Sequence, residues 1–92
     1  MNYEVVINAS AEKELKKLSA KVQDRIFEKI DSLAQEPRPH GVKKLKEFDL
    51  PNLVFDNYYR VRAGDYRIVY SIEDDIITIT IVKIGNRKDI YE

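Results

Sequence analysis

Two alternating runs, Tyr58 to Arg62 and Tyr66 to Ile72, meet at Gly64-Asp65. A Gly-Asp pair between β-prone runs signals a two-residue hairpin, because such residues tolerate the backbone angles of a tight turn. The turn sets the pairing. Ala63 faces Tyr66, Arg62 faces Arg67 and Val61 faces Ile68. Side chains alternate across a strand. One face therefore collects Tyr59, Val61, Tyr66, Ile68, Tyr70 and Ile72. The other collects Arg60, Arg62 and Arg67, with Val69, Ser71, Thr78, Thr80 and Val82. A one-residue slip would send Arg67 among the isoleucines, so the neighbouring registers are disfavoured.

The remaining elements follow from periodicity. Ile76 to Ile84 is a third β-rich run, joined across Glu73-Asp74-Asp75. Pairing Ile72 with Ile77 adds Ile79 and Ile81 to the apolar face. Tyr3 to Ile7 clusters β-branched residues and predicts a strand. Ser10 is an N-cap candidate, with Glu12 and Glu14 in the first turn, where acids suit the helix dipole. Ala11, Leu15 and Leu18 then recur at helical spacing. Ser19 is a second N-cap candidate, before the stripe Val22, Ile26, Ile30 and Leu33, widened by Phe27 and Ala34. Pro37 must stop that helix. The result is a helical hairpin of about 25 residues. Glu36 to Gly41 reads as a loop, and Asp49-Leu50-Pro51-Asn52 as a turn. Val42 to Phe48 is basic and suits no single state. Gly85-Asn86 ends the last strand. The order β-α-α-β-β-β predicts an α+β fold: an antiparallel sheet with an N-terminal helical hairpin packed on one face. At 92 residues, without repeats or linkers, residues 1–92 are expected to form a single domain.

Composition removes several function classes. There is no Cys and one His, so a disulfide framework, a thiolate zinc site, a Cys nucleophile and a His-rich metal site are all excluded. No apolar run approaches the ~18 residues that span a bilayer. Met1 to Val5 lacks a basic, then apolar, leader pattern. The expectation is a cytoplasmic protein without membrane contact, metal or cofactor. The 16 Lys and Arg balance 16 Asp and Glu, so net charge names no partner; location does. Arg62 opposite Arg67 is a like-charge pair, which is destabilising unless a carboxylate or phosphate bridges it. Arginine's planar fork suits phosphate. The alternative is an ordinary solvated strand face. Lys43, Lys44 and Lys46 form a second basic cluster able to touch RNA phosphates. His40, between Pro39 and Gly41, reads as a loop residue. Glu73-Asp74-Asp75 lacks the spacing of a calcium loop and reads as a solvated turn.

Tyr59-Arg60-Val61-Arg62-Ala63-Gly64-Asp65-Tyr66-Arg67-Ile68-Val69-Tyr70 resembles the core of the RelE/ParE superfamily of toxins from type II toxin–antitoxin systems. Lys83-Ile84-Gly85-Asn86-Arg87-Lys88-Asp89-Ile90-Tyr91 resembles its C-terminal signature. Leu15-Lys16-Lys17-Leu18 and the Glu36-Pro37-Arg38 break agree, so the resemblance spans nearly the whole chain. It implies a toxin and a cognate antitoxin partner. Basic central strands favour the RelE-like branch, whose members cut mRNA on the ribosome without a metal. The ParE-like branch inhibits DNA gyrase, and an attenuated relative would only bind its antitoxin. On the RelE-like branch the resemblance implies catalytic roles for Arg60, Arg62, Arg67, Arg87 and Tyr91. Lys43, Lys44, Lys46 and Lys88 would be RNA-binding. Tyr91 is the better acid or base, since arginines deprotonate only above ~12. Two departures stand out: Asn86 occupies a position where many relatives carry His, and Glu47 to Asn57 is longer than usual.

Overall fold

The computed structural model describes residues 2–45, 55, 57–88 and 90. Strand β1 (Glu4–Ile7) leads directly into helix α1 (Ala9–Lys16). Asn8 caps that helix, its side chain accepting from the Ala11 N–H at 2.8 Å. The expected cap, Ser10, instead lies inside the first turn. Asn8 wins because it has the extended backbone of a cap, with φ −71° and ψ 164°, and an oxygen that reaches the third amide. Ser19 does cap α2 (Ala20–Gln35), accepting from Val22 N–H at 3.3 Å. The helix closes at Glu36, whose N–H donates to Ser32 at 3.0 Å, immediately before Pro37.

The chain then builds β2 (Lys43–Leu45), β3 (Tyr58–Ala63), β4 (Tyr66–Glu73) and β5 (Thr78–Asn86). The sheet order is β1-β5-β4-β3-β2. The α+β layering is as expected, with two refinements. The undecided basic stretch supplies the short edge strand β2. Moreover, β1 runs parallel to β5, because the helical hairpin and the later strands return the chain in the direction in which it started. The sheet is therefore mixed.

The β3–β4 pairing is the predicted one, with Ala63 opposite Tyr66, Arg62 opposite Arg67 and Val61 opposite Ile68. Gly64 closes the turn with φ +63°, an angle that costs a side-chain-bearing residue far more than glycine. The next pairing departs from expectation. Ile72 faces Ile79, not Ile77, and Glu73 faces Thr78. A 3₁₀ turn at Asp74–Ile76 and a left-handed Ile77 (φ 50°) take up the difference. Because the shift is two residues, parity survives, and Ile79 and Ile81 still face inward. A bulge then moves the register from Tyr70 opposite Ile81 to Val69 opposite Lys83, so Val82 has no residue opposite. The extra residue puts Ile84 across from Ile68.

The main core lies between the helices and one sheet face. Ala11, Leu15, Ile26, Ile30 and Leu33 pack against Val61, Ile68, Tyr70, Ile79, Ile81 and Ile84. No helix among the described residues is long and apolar enough to cross a membrane.

Candidate functional site

The opposite sheet face carries the arginines, and it is less open than alternation predicts. Tyr58, Val69, Val82 and Ile90 form a second buried cluster there, with Leu45 and Phe55 packed against it. Ile90 lies beyond the last strand, so the chain folds back over this face. Arg60 and Arg67 are each only 5% exposed. The expected patch of three exposed guanidiniums is thus corrected: Arg62 is exposed, while the other two are sunk beside apolar neighbours. Strand alternation reports which face a residue occupies. It does not report what a distant tail later covers.

What remains is an ordered row of cations. Lys43 pairs with Arg60 across β2 and β3, and Arg62 pairs with Arg67 across β3 and β4. Directly opposed residues have Cβ atoms about 4.5–5.5 Å apart. Lys43 therefore joins the arginine face, while Lys44, opposite Tyr59, belongs to the other face and is exposed. Arg67 is held at the hairpin end: Nη1 donates to the carbonyls of Gly64 and Tyr66, each at 3.2 Å. A guanidinium anchored by backbone carbonyls keeps its position without reorganising when charge arrives, which is the property an anion-stabilising group needs.

Arg87 reaches the same end of the sheet from β5. Its N–H donates to the Asp65 carbonyl at 2.9 Å, tying the residue after β5 to the β3–β4 turn. Asn86 helps aim this segment, its side chain accepting from the Lys88 N–H at 3.1 Å. The amide at this position is a turn-former here, a role a short polar side chain performs well. Arg87 and Lys88 are both exposed. Lys46 and Tyr91 lie outside the described residues. The structure thus brings together Lys43, Arg60, Arg62, Arg67 and the Arg87 backbone; Lys44 stands apart.

One neighbour was not anticipated. Arg25 of α2 rests its guanidinium against Gly64. Its position in the helix carries no strand-pattern signal, and only packing of α2 on the sheet brings it there. His40 is exposed, and among the described residues no group of three or more His, Asp or Glu is placed to hold a metal.

The other end of the sheet is a tether. Arg38 donates to both oxygens of Asp74, at 3.3 and 2.9 Å, and Tyr3 donates to Asp74 Oδ1 at 2.7 Å. The Arg38 hydrogen bonds, then that of Tyr3, hold the Asp74 carboxyl below the usual carboxylate range. Arg38 also stands over the Tyr59 ring, 5.5 Å from its centre.

A family profile described as "ParE toxin of type II toxin-antitoxin system, parDE" matches residues 5–91. Toxin RelE of Mycobacterium tuberculosis is 32% identical, covering 97% of this chain and 86% of its own length. Toxin RelG of the same organism is 28% identical, covering 99% and 98%. A chain in the crystal structure of the archaeal RelE-RelB complex from Pyrococcus horikoshii OT3 matches with a TM-score of 0.77. It is 33% identical, with 98% of this chain and 100% of that chain covered.

Proposed function

We propose that this chain, which belongs to the RelE/ParE superfamily of toxins from type II toxin–antitoxin systems, is a ribosome-dependent mRNA endoribonuclease that inhibits translation. The observation that carries the reading is the Arg62–Arg67 pair at the Gly64 turn, with the Arg87 backbone bonded to Asp65. Three cations at one end of a sheet suit a phosphodiester better than any neutral substrate.

In the proposed reaction the 2′-oxygen of the message loses its proton and bonds to the adjacent phosphorus. The bond from phosphorus to the 5′-oxygen breaks, and that oxygen takes up a proton. The products are a 2′,3′-cyclic phosphate and a 5′-hydroxyl. Arg62, Arg67 and Arg87 stabilise the charge that builds on the non-bridging oxygens, with Arg60 behind them. The family resemblance gives proton transfer to Tyr91. Lys43 and Lys88 would bind the RNA backbone around this centre, with Lys44 and Lys46 as further RNA-binding residues of the basic cluster. Cationic groups without a strong base are poor catalysts alone, so the ribosome supplies the attack geometry, which can be worth several kcal/mol. A cognate antitoxin is the expected protein partner, in keeping with the RelE-RelB complex of the Pyrococcus neighbour.

Exposed residues give the cleanest test, because removing Arg67 also frees two backbone carbonyls. On induced expression in bacteria, wild type should produce new mRNA 5′ ends inside translated frames within minutes. Arg62→Ala and Arg87→Ala should each cut at least ~10²-fold more slowly, as when one charge-stabilising donor is removed. Unchanged cleavage in both variants would sink the reading. The ParE family profile favours one second reading, inhibition of DNA gyrase; arrested growth with intact mRNA and lost supercoiling would select it.

A further inference from the structure

Gly64 has a neighbour that its own hairpin does not supply. A Cβ built there would lie 2.8 Å from Nη1 of Arg25 and 3.6 Å from its Cδ. The Arg25 side chain therefore extends from α2 onto the turn, and the glycine leaves it room. Arg67 Nη1 contacts the same residue through the Gly64 carbonyl. Lys29 follows Arg25 at i+4, so the two cations share one stripe of α2. With Ser32 and Ala63 they line a recess of about 330 Å³ where α2 passes the end of β3.

The recess has the polarity of an anion site. Glu28 lines it too, yet among the described residues no ion pair joins it to either cation. Ser32 has its hydroxyl committed, donating to the Lys29 carbonyl at 2.6 Å. The donors left over are the guanidinium and the ammonium. Like charges at i and i+4 destabilise a helix, so a bound anion would relieve them. Ala63 is the one apolar residue in the lining, which leaves little to seat a peptide side chain. Gly64 stands between the recess and the arginine row: Arg25 lies against it from the α2 side, and its carbonyl accepts from Arg67.

We propose that Arg25 and Lys29 hold a second phosphate of the same RNA strand, across the Gly64 turn from the one gripped by Arg62 and Arg87. This rests on the RNA-cleaving reading above and extends its binding surface onto α2. The site reads backbone charge, not base identity, so it adds affinity without sequence preference.

The test is equilibrium binding of a short, fluorescein-labelled single-stranded RNA to the purified chain. Its 2′-O-methyl groups prevent cleavage, so binding is read alone. Arg25→Ala with Lys29→Ala should weaken binding roughly tenfold or more and reduce the log–log salt slope by about 1.4, two contacts at ~0.7 each. Arg25→Lys with Lys29→Arg, which keeps both charges, should bind within about twofold of wild type. Unchanged affinity and slope in the alanine pair would overturn the proposal, as would wild type that binds no RNA. An equal loss in the charge-keeping pair would also overturn it, since packing against Gly64 would then be the cause. Mapping of mRNA 5′ ends separates the two readings. Cleavage by wild type with an RNA affinity indifferent to the alanine pair removes this site alone. RNA binding that depends on the two charges, without any cleavage, removes the nuclease and keeps the site.

Discussion

Tyr70 is a fully buried tyrosine whose hydroxyl still finds a partner, donating to the Pro37 carbonyl at 2.6 Å. That bond ties β4 to the segment leaving α2. Replacing the ring by phenylalanine keeps the packing but strands a carbonyl. Tyr70→Phe should therefore lower the unfolding free energy by about 1–2 kcal/mol in urea titrations. Burial also pushes the phenol well above its ordinary value of ~10. The sign follows from linkage: the unfolded chain loses this proton first. The stability it contributes is complete below pH ~10 and declines as pH rises beyond it. Tyr70→Phe should remove that alkaline decline. A variant that unfolds with the same pH dependence as wild type would contradict the assignment. Arg67 makes the related point for a charge. The residue is only 5% exposed and its guanidinium donates to two backbone carbonyls, so it belongs to the hairpin as well as to the site.

At the level of elements, the ends of helices and strands explain most departures from the pattern. α1 begins two residues earlier than Ser10 suggests, because Asn8 supplies the capping oxygen. Asn8→Ala should cost about 1 kcal/mol in chemical denaturation, whereas Ser10→Ala, inside the helix and exposed, should change stability by less than ~0.5 kcal/mol. The reverse order would restore Ser10 as the cap. In β5 the alternation Ile79, Ile81 gives way to Ile84, a one-residue break legible in the chain once a bulge is considered. Beyond the end of β1, the Ile84 N–H has no strand to pair with on that side, and Glu14 of α1 accepts it at 3.3 Å. Lys83 approaches the same carboxylate at 3.6 Å. The β4–β5 connection needs Ile77 in the left-handed region, an uncommon place for a β-branched residue. Its carbonyl accepts from Glu4 at 2.9 Å, so entry into the parallel β1–β5 pair holds it there.

Across the whole molecule, a net charge of zero hides two unlike ends. Arginines crowd the β3–β4 turn, while Glu73, Asp74 and Asp75 sit at the β4–β5 turn. A chain polarised in this way approaches a polyanion with its basic end foremost, a steering effect that weakens with salt. The acidic end is tied to the N-terminal strand and the α2–β2 loop through Tyr3, Asp74 and Arg38. Since Arg38 and then Tyr3 hold Asp74 below the ordinary ~3.9, the unfolded chain protonates this carboxyl first. Its contribution is present above pH ~3.9 and is lost as pH falls through the lower folded value. Urea midpoints should therefore drop on acidification through that window, and Asp74→Asn should flatten the drop. An unaltered acid limb in the variant would contradict the tether.

Much of this was legible in the chain. The Gly64-Asp65 turn dictated the β3–β4 register, because alternation admits no single-residue slip without burying a charge among isoleucines. Helical spacing located both helices and the face they cover, except that Phe27, expected to widen the stripe, is 42% exposed; the two motifs identified the superfamily. Tertiary structure decided the rest. It shifted the β4–β5 pairing by two residues, since a 3₁₀ turn and a left-handed Ile77 are not encoded by alternation. It made the sheet mixed and added β2. It also buried Arg60 and Arg67 on the face that carries a cluster including Ile90, and laid Arg25 on Gly64. Those contacts join residues far apart in sequence. Local periodicity carries the direction of a side chain, whereas burial depends on which distant segment finally packs against it.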